Sequence, residues 1–511
     1  MGGAAPPGRS QPVAPLLLDR YAYSRLDARC DSQHHRPPRP QGRHPLGQAR
    51  SRDPATRSKE RARAARFRFP VSHPVDDAPT SDDDRTYRPG WLRYAPFLGR
   101  APALSRRQWR LIGLIALVNL FDQYDLQLFG LALKQIQAEL LIPEEQLGEF
   151  GAIVRLGALP AFLFGVIADR LGRRRVLLVT IVAYTILTGA TAFAPDARTF
   201  VILQFLARTF AVAEVMLAYV VITEELDPEH RGWGVGALAA LGACGNGLAL
   251  ALFGLVDVMP MGWRSLYLVG LFPLLIIAWL RRNLPETKRF AEHQPEATSN
   301  AILASALRPI VDLARMYPGR LLAVGSVIFL LSFSENSAGF FGPKYLQEVH
   351  GWLPWHYSLL GLGGGFVGIF GGTFAGRLSD RFGRRPVAAG FLFGHTVLVL
   401  AFYQGFGWAL AAVWICMVFS GMAAGVVLAA AGNELFPTSY RSTASGARVI
   451  IATLGGVLGL FAESMLFGIY GSHWTAISIL ALGAFIAPLI LLAFFPETSG
   501  RELEEISPEL D

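Results

Sequence analysis

The stretch "GVIADRLGRRR", residues 165–175, decides the fold of this chain, because it returns as "GRLSDRFGRRP" at residues 376–386. Asp169 and Asp380 occupy the same place in the two copies, 211 residues apart. Each copy follows an apolar segment and ends in a cluster of arginines. The recurrence indicates that the chain contains two related halves.

Two further pairs support this duplication. "ELDPEHR" at 225–231 returns as "ELFPTSYR" at 434–441, and "LPET" at 284–287 returns as "FPET" at 495–498. Their offsets lie within about two residues of the first one. Three pairs in one register are not expected by chance, so each half is one structural unit.

Apolar segments recur from Trp109 onward, each close to the roughly 20 residues that cross a hydrocarbon core of about 30 Å. Only helices satisfy the backbone of such segments in lipid. The fold class we predict is therefore an all-α polytopic membrane protein with two pseudo-symmetric halves of six helices. The twelve predicted spans are 109–132, 147–168, 175–194, 199–222, 233–256, 264–281, 320–342, 356–378, 386–404, 408–431, 442–467 and 473–494.

Composition agrees with a membrane environment, since 52% of the residues are hydrophobic and only 17% are charged. The positive charge lies in the first 110 residues, which hold 22 Lys/Arg against 10 Asp/Glu. Residues 1–105 show no sustained apolar periodicity, and we predict a disordered basic tail without a nucleic-acid partner. Binding of its arginine cluster to nucleic acid or anionic lipid is the alternative. Cys30, Cys244 and Cys416 have no spacing typical of a disulfide framework or a metal site.

Arginine and lysine crowd every second loop, so the positive-inside rule predicts that both termini are cytoplasmic. The predicted organisation lists five regions: a tail at 1–105, an N-terminal half at 106–282, a central cytoplasmic linker at 283–318, a C-terminal half at 319–495 and a second tail at 496–511.

The repeated motifs resemble the signatures that the major facilitator superfamily carries after its second and eighth helices. Within that superfamily, "FDQYDLQLFG" at 121–130 resembles the D-x-x-D of proton-coupled symporters of aromatic acids and related metabolites. The resemblance covers about 400 residues, 106–506. It implies the major facilitator fold and secondary transport by alternating access, with a solute site between the halves.

The charged residues of the repeated motifs are our candidates for cytoplasmic gating, because guanidiniums and carboxylates at helix ends pair strongly. We expect such pairs to close the halves on one side of the membrane in one state and to break in the other. The alternative is that the arginines only set topology. The gating candidates are Asp169, Arg170, Arg173, Arg174, Glu225, Arg231, Asp380, Arg381, Arg384, Arg385, Glu434 and Arg441.

Charges within the apolar segments are costly, about 2.5 to 3.5 kcal/mol at mid-helix, and they mark functional sites. Asp122 and Asp125 lie three residues apart on one face of helix 1 and are candidate proton carriers, with a structural pair as the alternative. The repeat offset places Glu335 and Asn336 of helix 7 at the same depth.

Two intramembrane arginines complete the predicted site, Arg208 in helix 4 and Arg448 in helix 11. Each is predicted to bind a substrate carboxylate or to form an internal ion pair. Arg155, Glu214 and Glu463 are similar, although Arg155 and Glu463 are expected near the outer interface. His395 and His473 receive no role.

No phosphate-binding loop, zinc spacing or nucleophile elbow occurs in the sequence, so we expect neither an enzyme nor a cofactor nor a metal. The prediction is proton-coupled symport of a small organic acid or related metabolite. Uniport, drug/proton antiport and a nontransporting solute sensor remain alternatives. One chain supplies both halves, so a monomer in the cell membrane is expected, with protons, a small molecule and lipid as its partners.

Overall fold

The computed structural model describes residues 86–281, 302–405 and 407–507. Eleven helices within these ranges are long and apolar enough to cross a membrane. A further helix, Arg106–Leu131, has 26 residues and precedes them, so it is also long enough to cross about 30 Å of hydrocarbon. The prediction of twelve membrane helices is confirmed.

Numbered as in the sequence, helices 1 to 6 are Arg106–Leu131, Glu144–Leu171, Arg173–Thr191, Ala197–Glu225, Arg231–Phe253 and Trp263–Arg281. Helices 7 to 12 are Pro318–Val349, Pro354–Phe382, Arg384–Tyr403, Leu410–Glu434, Thr438–Tyr470 and His473–Phe494. Short helices occupy Leu133–Leu140, Ile302–Met316 and Leu503–Ile506.

Local chemistry sets several helix boundaries. Helix 1 begins at a capping box, in which the Ser105 hydroxyl accepts from the Gln108 N–H and the Gln108 side chain accepts from the Ser105 N–H. Helices 2 and 3 meet at Gly172, and helices 8 and 9 meet at Gly383, where φ is +93° and +98°. Glycine adopts these angles without strain, so the repeated "D-R-x-G-R-R" motif forms the same tight turn twice.

Both halves pack in one pattern. In the first half, helix 1 contacts helix 5 and helix 3 contacts helices 4 and 6. In the second half, helix 7 contacts helix 11 and helix 9 contacts helices 10 and 12. The sequence repeat is therefore a repeat of tertiary packing, with six helices in each half.

The most extensive contacts between the halves are two symmetry-related ones, helix 2 with helix 11 and helix 5 with helix 8. Glycines permit the close approach: a Cβ on Gly148 would lie 2.7 Å from the backbone oxygen of Leu460, and one on Gly361 would lie 2.8 Å from the side chain of Leu250. We call the end of the bundle that carries the repeated arginine motifs the arginine-rich end, and the other end the opposite end.

The predicted disordered tail needs a correction over its last part, and residues 1–85 lie outside the described ranges. Strand Thr86–Tyr87 (β1) pairs antiparallel with strand Leu104–Ser105 (β2). The indole N–H of Trp109 donates to Tyr87 O at 3.0 Å, and that of Trp233 donates to Leu98 O at 2.9 Å. Periodicity over the whole tail missed this segment because tertiary hydrogen bonds to two tryptophans hold it.

The predicted central linker also contains regular structure. Residues 302–316 form a helix that contacts helix 2 of one half and helices 7 and 11 of the other. Residues 282–301, which include the first "PET" motif with Glu286, lie outside the described ranges.

Candidate functional site

A cavity of about 510 Å³ lies between the two halves. Its size is typical of sites for small organic molecules. Helices 1, 2 and 4 line it from one half and helices 7, 8, 10 and 11 line it from the other. Its aromatic lining consists of Phe129, Phe340, Tyr357 and Trp414. The rings of Phe129 and Phe340 lie edge to face at 5.2 Å, so aromatic packing between the halves bounds the cavity.

Two arginines of the N-terminal half, Arg155 and Arg208, line this cavity. The buried Nε of each has no hydrogen-bond partner among the described residues, and neither guanidinium forms an ion pair with one of them. They lie close enough to repel each other electrostatically, while Asp125 attracts Arg208. The cavity therefore presents two cationic groups that lack a partner within the described part of the chain.

Asp125 lines the same cavity. It is 5% exposed, and its Oδ2 accepts a hydrogen bond from Thr188 at 3.3 Å. Its Oδ1 has no partner among the described residues. This carboxyl group thus lies between a hydroxyl donor on helix 3 and the cations of the cavity.

Glu335 also lines the cavity, and it contacts a histidine to which the sequence gave no role. His395 Nε2 lies 3.2 Å from Glu335 Oε1, and His395 Nδ1 lies 3.0 Å from the carbonyl oxygen of Met417. His395 Nδ1 also lies 3.3 Å from Ser420 Oγ, so at this atom the ring can donate to the Met417 carbonyl or accept from the Ser420 hydroxyl. The other ring nitrogen, Nε2, faces the Glu335 carboxylate.

Asn336 lies in the cavity and Arg448 does not. The Asn336 amide donates to Ser332 O at 2.5 Å, and a Cβ on Gly456 would lie 2.6 Å from both the Asn336 amide and Arg155 Nε. Asn336 and Arg155 therefore face each other across the two halves. Arg448 instead donates to Asn433 Oδ1 at 2.9 Å, outside the cavity lining.

Asp122 lies apart from the cavity, in a polar cluster inside the N-terminal half. It is fully buried, and neither carboxylate oxygen has a hydrogen-bond partner among the described residues. Its charged neighbours are Glu214 and Arg281, which form a buried ion pair. Thr180 of helix 3 donates to Glu214. Arg281 is the last residue of helix 6, but its side chain folds back into the half and is 1% exposed.

At the arginine-rich end, the predicted gating residues of the N-terminal half pair with one another and with close neighbours. Arg173 bridges to Asp169 at 2.8 Å and to Glu224 at 3.0 Å. Glu225 pairs with Arg107 at 3.3 Å. Arg231 Nε donates to Leu226 O at 3.1 Å. Arg170 and Arg174 are exposed at the same end.

The C-terminal half repeats the arrangement. Arg384 bridges to Asp380 at 3.3 Å and to Glu434 at 2.7 Å. Arg441 Nε donates to Phe436 O at 3.3 Å, as Arg231 does in the other half. Arg381 is exposed and lies over the ring of Phe382. These pairs connect helices within one half. Pairs that join the halves at this end are expected in the other state of the transport cycle, and they stay a prediction.

Glu497, after helix 12, completes the second cluster. It accepts from the backbone N–H of Arg384 at 2.7 Å and of Arg385 at 3.2 Å, and from those of Thr498 and Ser499 at 3.0 Å. Partial burial opposes ionisation, but these four donors together hold the pKa of Glu497 below its usual value. An ionised carboxylate thus caps the start of helix 9.

At the opposite end, a group we call the seam cluster joins the halves. Its members are Gln137 and Glu144 of the N-terminal half and Lys344, Glu348, Glu463 and His473 of the C-terminal half. Lys344 Nζ contacts Gln137 at 2.6 Å, Glu144 at 3.1 Å and Glu348 at 2.6 Å. His473 contacts Glu144 at 2.9 Å and Glu463 at 2.6 Å.

Sequence reasoning missed the seam cluster and the position of Arg155 in the cavity lining. Lys344 and His473 lie at the ends of apolar segments and received no role, and Arg155 was expected near the outer interface. These residues meet their neighbours across more than 200 positions of sequence, as in the contact of Lys344 with Gln137. The sequence shows only that each charged residue lies in or next to an apolar segment, and this does not identify the residue with which it pairs.

Two pseudo-symmetric six-helix halves around a polar central cavity define the class of secondary membrane transporters. Comparison with known proteins agrees. The model of the Major Facilitator Superfamily matches residues 115–459 and 356–509. The chain belongs to this superfamily, and it is an integral membrane transporter rather than an enzyme.

Among its relatives, a putative niacin/nicotinamide transporter of Bacillus subtilis is 26% identical over 424 residues, which cover 80% of this chain and 100% of the relative. A benzoate transport protein of Acinetobacter baylyi is 25% identical over 439 residues, covering 79% and 93%. The crystal structure of a D-xylose-proton symporter superposes with a TM-score of 0.63 at 18% identity, covering 77% of this chain and 99% of that one. The last similarity supports the fold alone.

Proposed function

We propose that this protein is a proton-coupled symporter of small organic acids and that Arg155 and Arg208 bind the carboxylate of the substrate. The observation that carries the proposal is the presence of these two partnerless guanidiniums in one cavity with Asp125. Two unpaired cations within a membrane protein are costly. A bound carboxylate supplies the missing charge, and its two oxygens match the fork of a guanidinium.

Proton coupling follows from the competition for Arg208. While Asp125 is ionised, it attracts Arg208 and opposes an incoming anion. Protonation of Asp125 removes both effects, so proton binding strengthens anion binding, and by linkage the anion strengthens proton binding. Glu335, which lines the cavity and contacts His395, is a second candidate for proton exchange.

The relatives support this substrate class, since one is described as a benzoate transport protein and another as a niacin/nicotinamide transporter. The aromatic walls of the cavity provide surfaces for a flat ring. The arginine distribution and the bacterial relatives together support a cell-membrane protein with both termini in the cytoplasm. The cavity would then release its substrate toward the arginine-rich end. A monomer suffices, because one chain forms both walls.

The experiment is substrate-dependent acidification of proteoliposomes, followed with a trapped pH dye. The panel contains benzoate with benzamide, nicotinate with nicotinamide, and xylose. We expect acidification with the acids only. Asp125→Asn should abolish acidification. Arg155→Gln and Arg208→Gln should each raise the KM for the acid about tenfold or more, the value of one charged hydrogen bond of about 1.5 kcal/mol.

Arg448→Gln is the matched control, because it removes an intramembrane arginine that lies outside the cavity lining. We expect its KM to stay within about twofold of the unmodified protein. Uptake of labelled acid without proton movement would replace symport with uniport. Acidification driven by the amides as well would remove the role of the two arginines in binding a carboxylate.

A further inference from the structure

The seam cluster contains a histidine placed between two carboxylates from different halves. His473 Nδ1 lies 2.6 Å from Glu463 Oε1, and His473 Nε2 lies 2.9 Å from Glu144 Oε2. Glu463 belongs to the same half as His473, and Glu144 belongs to the other. His473 therefore links Glu463 of its own half to Glu144 of the other half.

The geometry determines how many protons the three groups Glu144, His473 and Glu463 hold. A carboxylate oxygen at hydrogen-bond distance from a ring nitrogen requires a hydrogen between the two atoms. Neutral imidazole with two ionised carboxylates has only one such hydrogen, and the cluster makes two contacts. The joined halves therefore hold one proton more than the same three groups hold when Glu144 has moved away.

The surroundings of His473 keep that proton in place. The ring is stacked between Phe341 at 4.5 Å and Phe467 at 4.2 Å, and only 5% of the residue is exposed. The charged groups facing this site are Lys344 and Glu348 of helix 7, Glu463 of helix 11 and Glu144 of helix 2. Lys344 binds the other oxygen of Glu144, so the Glu144 carboxylate is held by two cationic groups of the other half.

We propose that Glu144, His473 and Glu463 form a second proton-binding site, separate from the central cavity, whose proton closes the opposite end of the transporter. Because the joined state holds the additional proton, low pH favours joined halves and high pH favours separated ones. By linkage, one proton changes the ratio of the two states by up to tenfold per pH unit. This site lies at the seam, so it responds to the solution on that side of the membrane and needs no substrate.

Pulsed electron paramagnetic resonance on the full-length protein in lipid nanodiscs tests the proposal without substrate. Cys30, Cys244 and Cys416 are first changed to serine. Cysteines that carry spin labels then replace Val258 and Tyr470, two exposed residues that lie at the opposite end in different halves. We expect the fraction of molecules with the longer distance between the two labels to increase as the pH is raised from 5 to 8. His473→Gln should remove this dependence, because glutamine carries no titrating proton.

Glu144→Gln provides a second variant, since its amide can donate to a neutral imidazole and so removes the need for the additional proton. This variant too should remove the pH dependence of the distance between the spin labels. His356→Gln, a histidine at the same end whose Nδ1 contacts only its own helix start, is the matched control and should keep the profile. A pH-independent distance in the unmodified protein, or an unchanged slope in either folded glutamine variant, would overturn the proposal. Neither result depends on whether organic acids are transported.

Discussion

The two ends of this transporter use charged residues differently. At the arginine-rich end, Arg173 and Arg384 bridge acidic groups of their own half. At the opposite end, Glu144 of one half is bound by Lys344 and His473 of the other. Similar numbers of charges thus stabilise the interior of each half at one end and the joint between halves at the other. In this conformation the joint at the opposite end is the one that must break for alternating access.

The largest effect is expected at Lys344, whose side chain is fully buried. Lys344→Met leaves Glu144, Glu348 and Glu463 close together with His473 as the remaining cation of the seam cluster. Breaking a buried pair costs about 3 kcal/mol or more, so the joined population should fall roughly a hundredfold. The Val258–Tyr470 spin-label distance measures it.

The comparison variant is Arg384→Met, which removes a pair within one half. It should lower the melting temperature and leave the Val258–Tyr470 distance distribution unchanged. An equal shift of that distribution in both variants would show that the two ends do not differ in the way we describe.

A smaller effect is expected where the helices of the two halves come closest. A Cβ on Gly148 would clash with Glu463 Oε2 and would lie 2.7 Å from Leu460 O, so Gly148→Ala pushes helix 2 away from helix 11. Overpacking costs about 1–3 kcal/mol, which predicts a five- to hundredfold loss of the joined state by the same distance measurement. Gly113→Ala on helix 1, with nothing within 4 Å of its Cβ, should have no effect.

The sequence predicted the architecture well, because helix length, apolarity and the repeated motifs are local properties. Gly172 and Gly383 illustrate this: each motif contains its own turn. Asp125, Glu335 and Asn336 line one cavity, and the repeat offset relates the two helices that carry them, helices 1 and 7.

The pairing of charges was not predictable in the same way. Arg281 lies at the end of an apolar segment, a position typical of a loop cation, but its long side chain pairs with Glu214 inside the half. Lys344 and His473 pair with Glu144 of the other half. Asp122 and Asp125 look equivalent in the sequence, yet only Asp125 lines the cavity, whereas Asp122 lies beside Glu214 and Arg281 inside the half.

The smallest effect is expected at the arginine-rich end, from Glu497. Its pKa is lowered by backbone donors, so the ionised form contributes stability above the usual glutamate pKa of about 4.3, and this contribution is lost as the pH falls. Glu497→Gln should lower the melting temperature at pH 7, and this difference should shrink only as the pH falls below the lowered pKa of Glu497. A difference between the two proteins that stays constant from pH 7 down to about pH 2 would contradict this.

Trp414 gives the central cavity an optical property of its own. Its indole lines the cavity, its buried Nε1 has no partner among the described residues, and its ring meets Tyr357 edge to face at 5.5 Å. A ligand that offers an acceptor to this N–H or stacks on the ring changes the emission of the indole. The difference between the spectra of the unmodified protein and Trp414→Phe therefore reports occupancy of the cavity in real time, without a label and without following movement across the membrane.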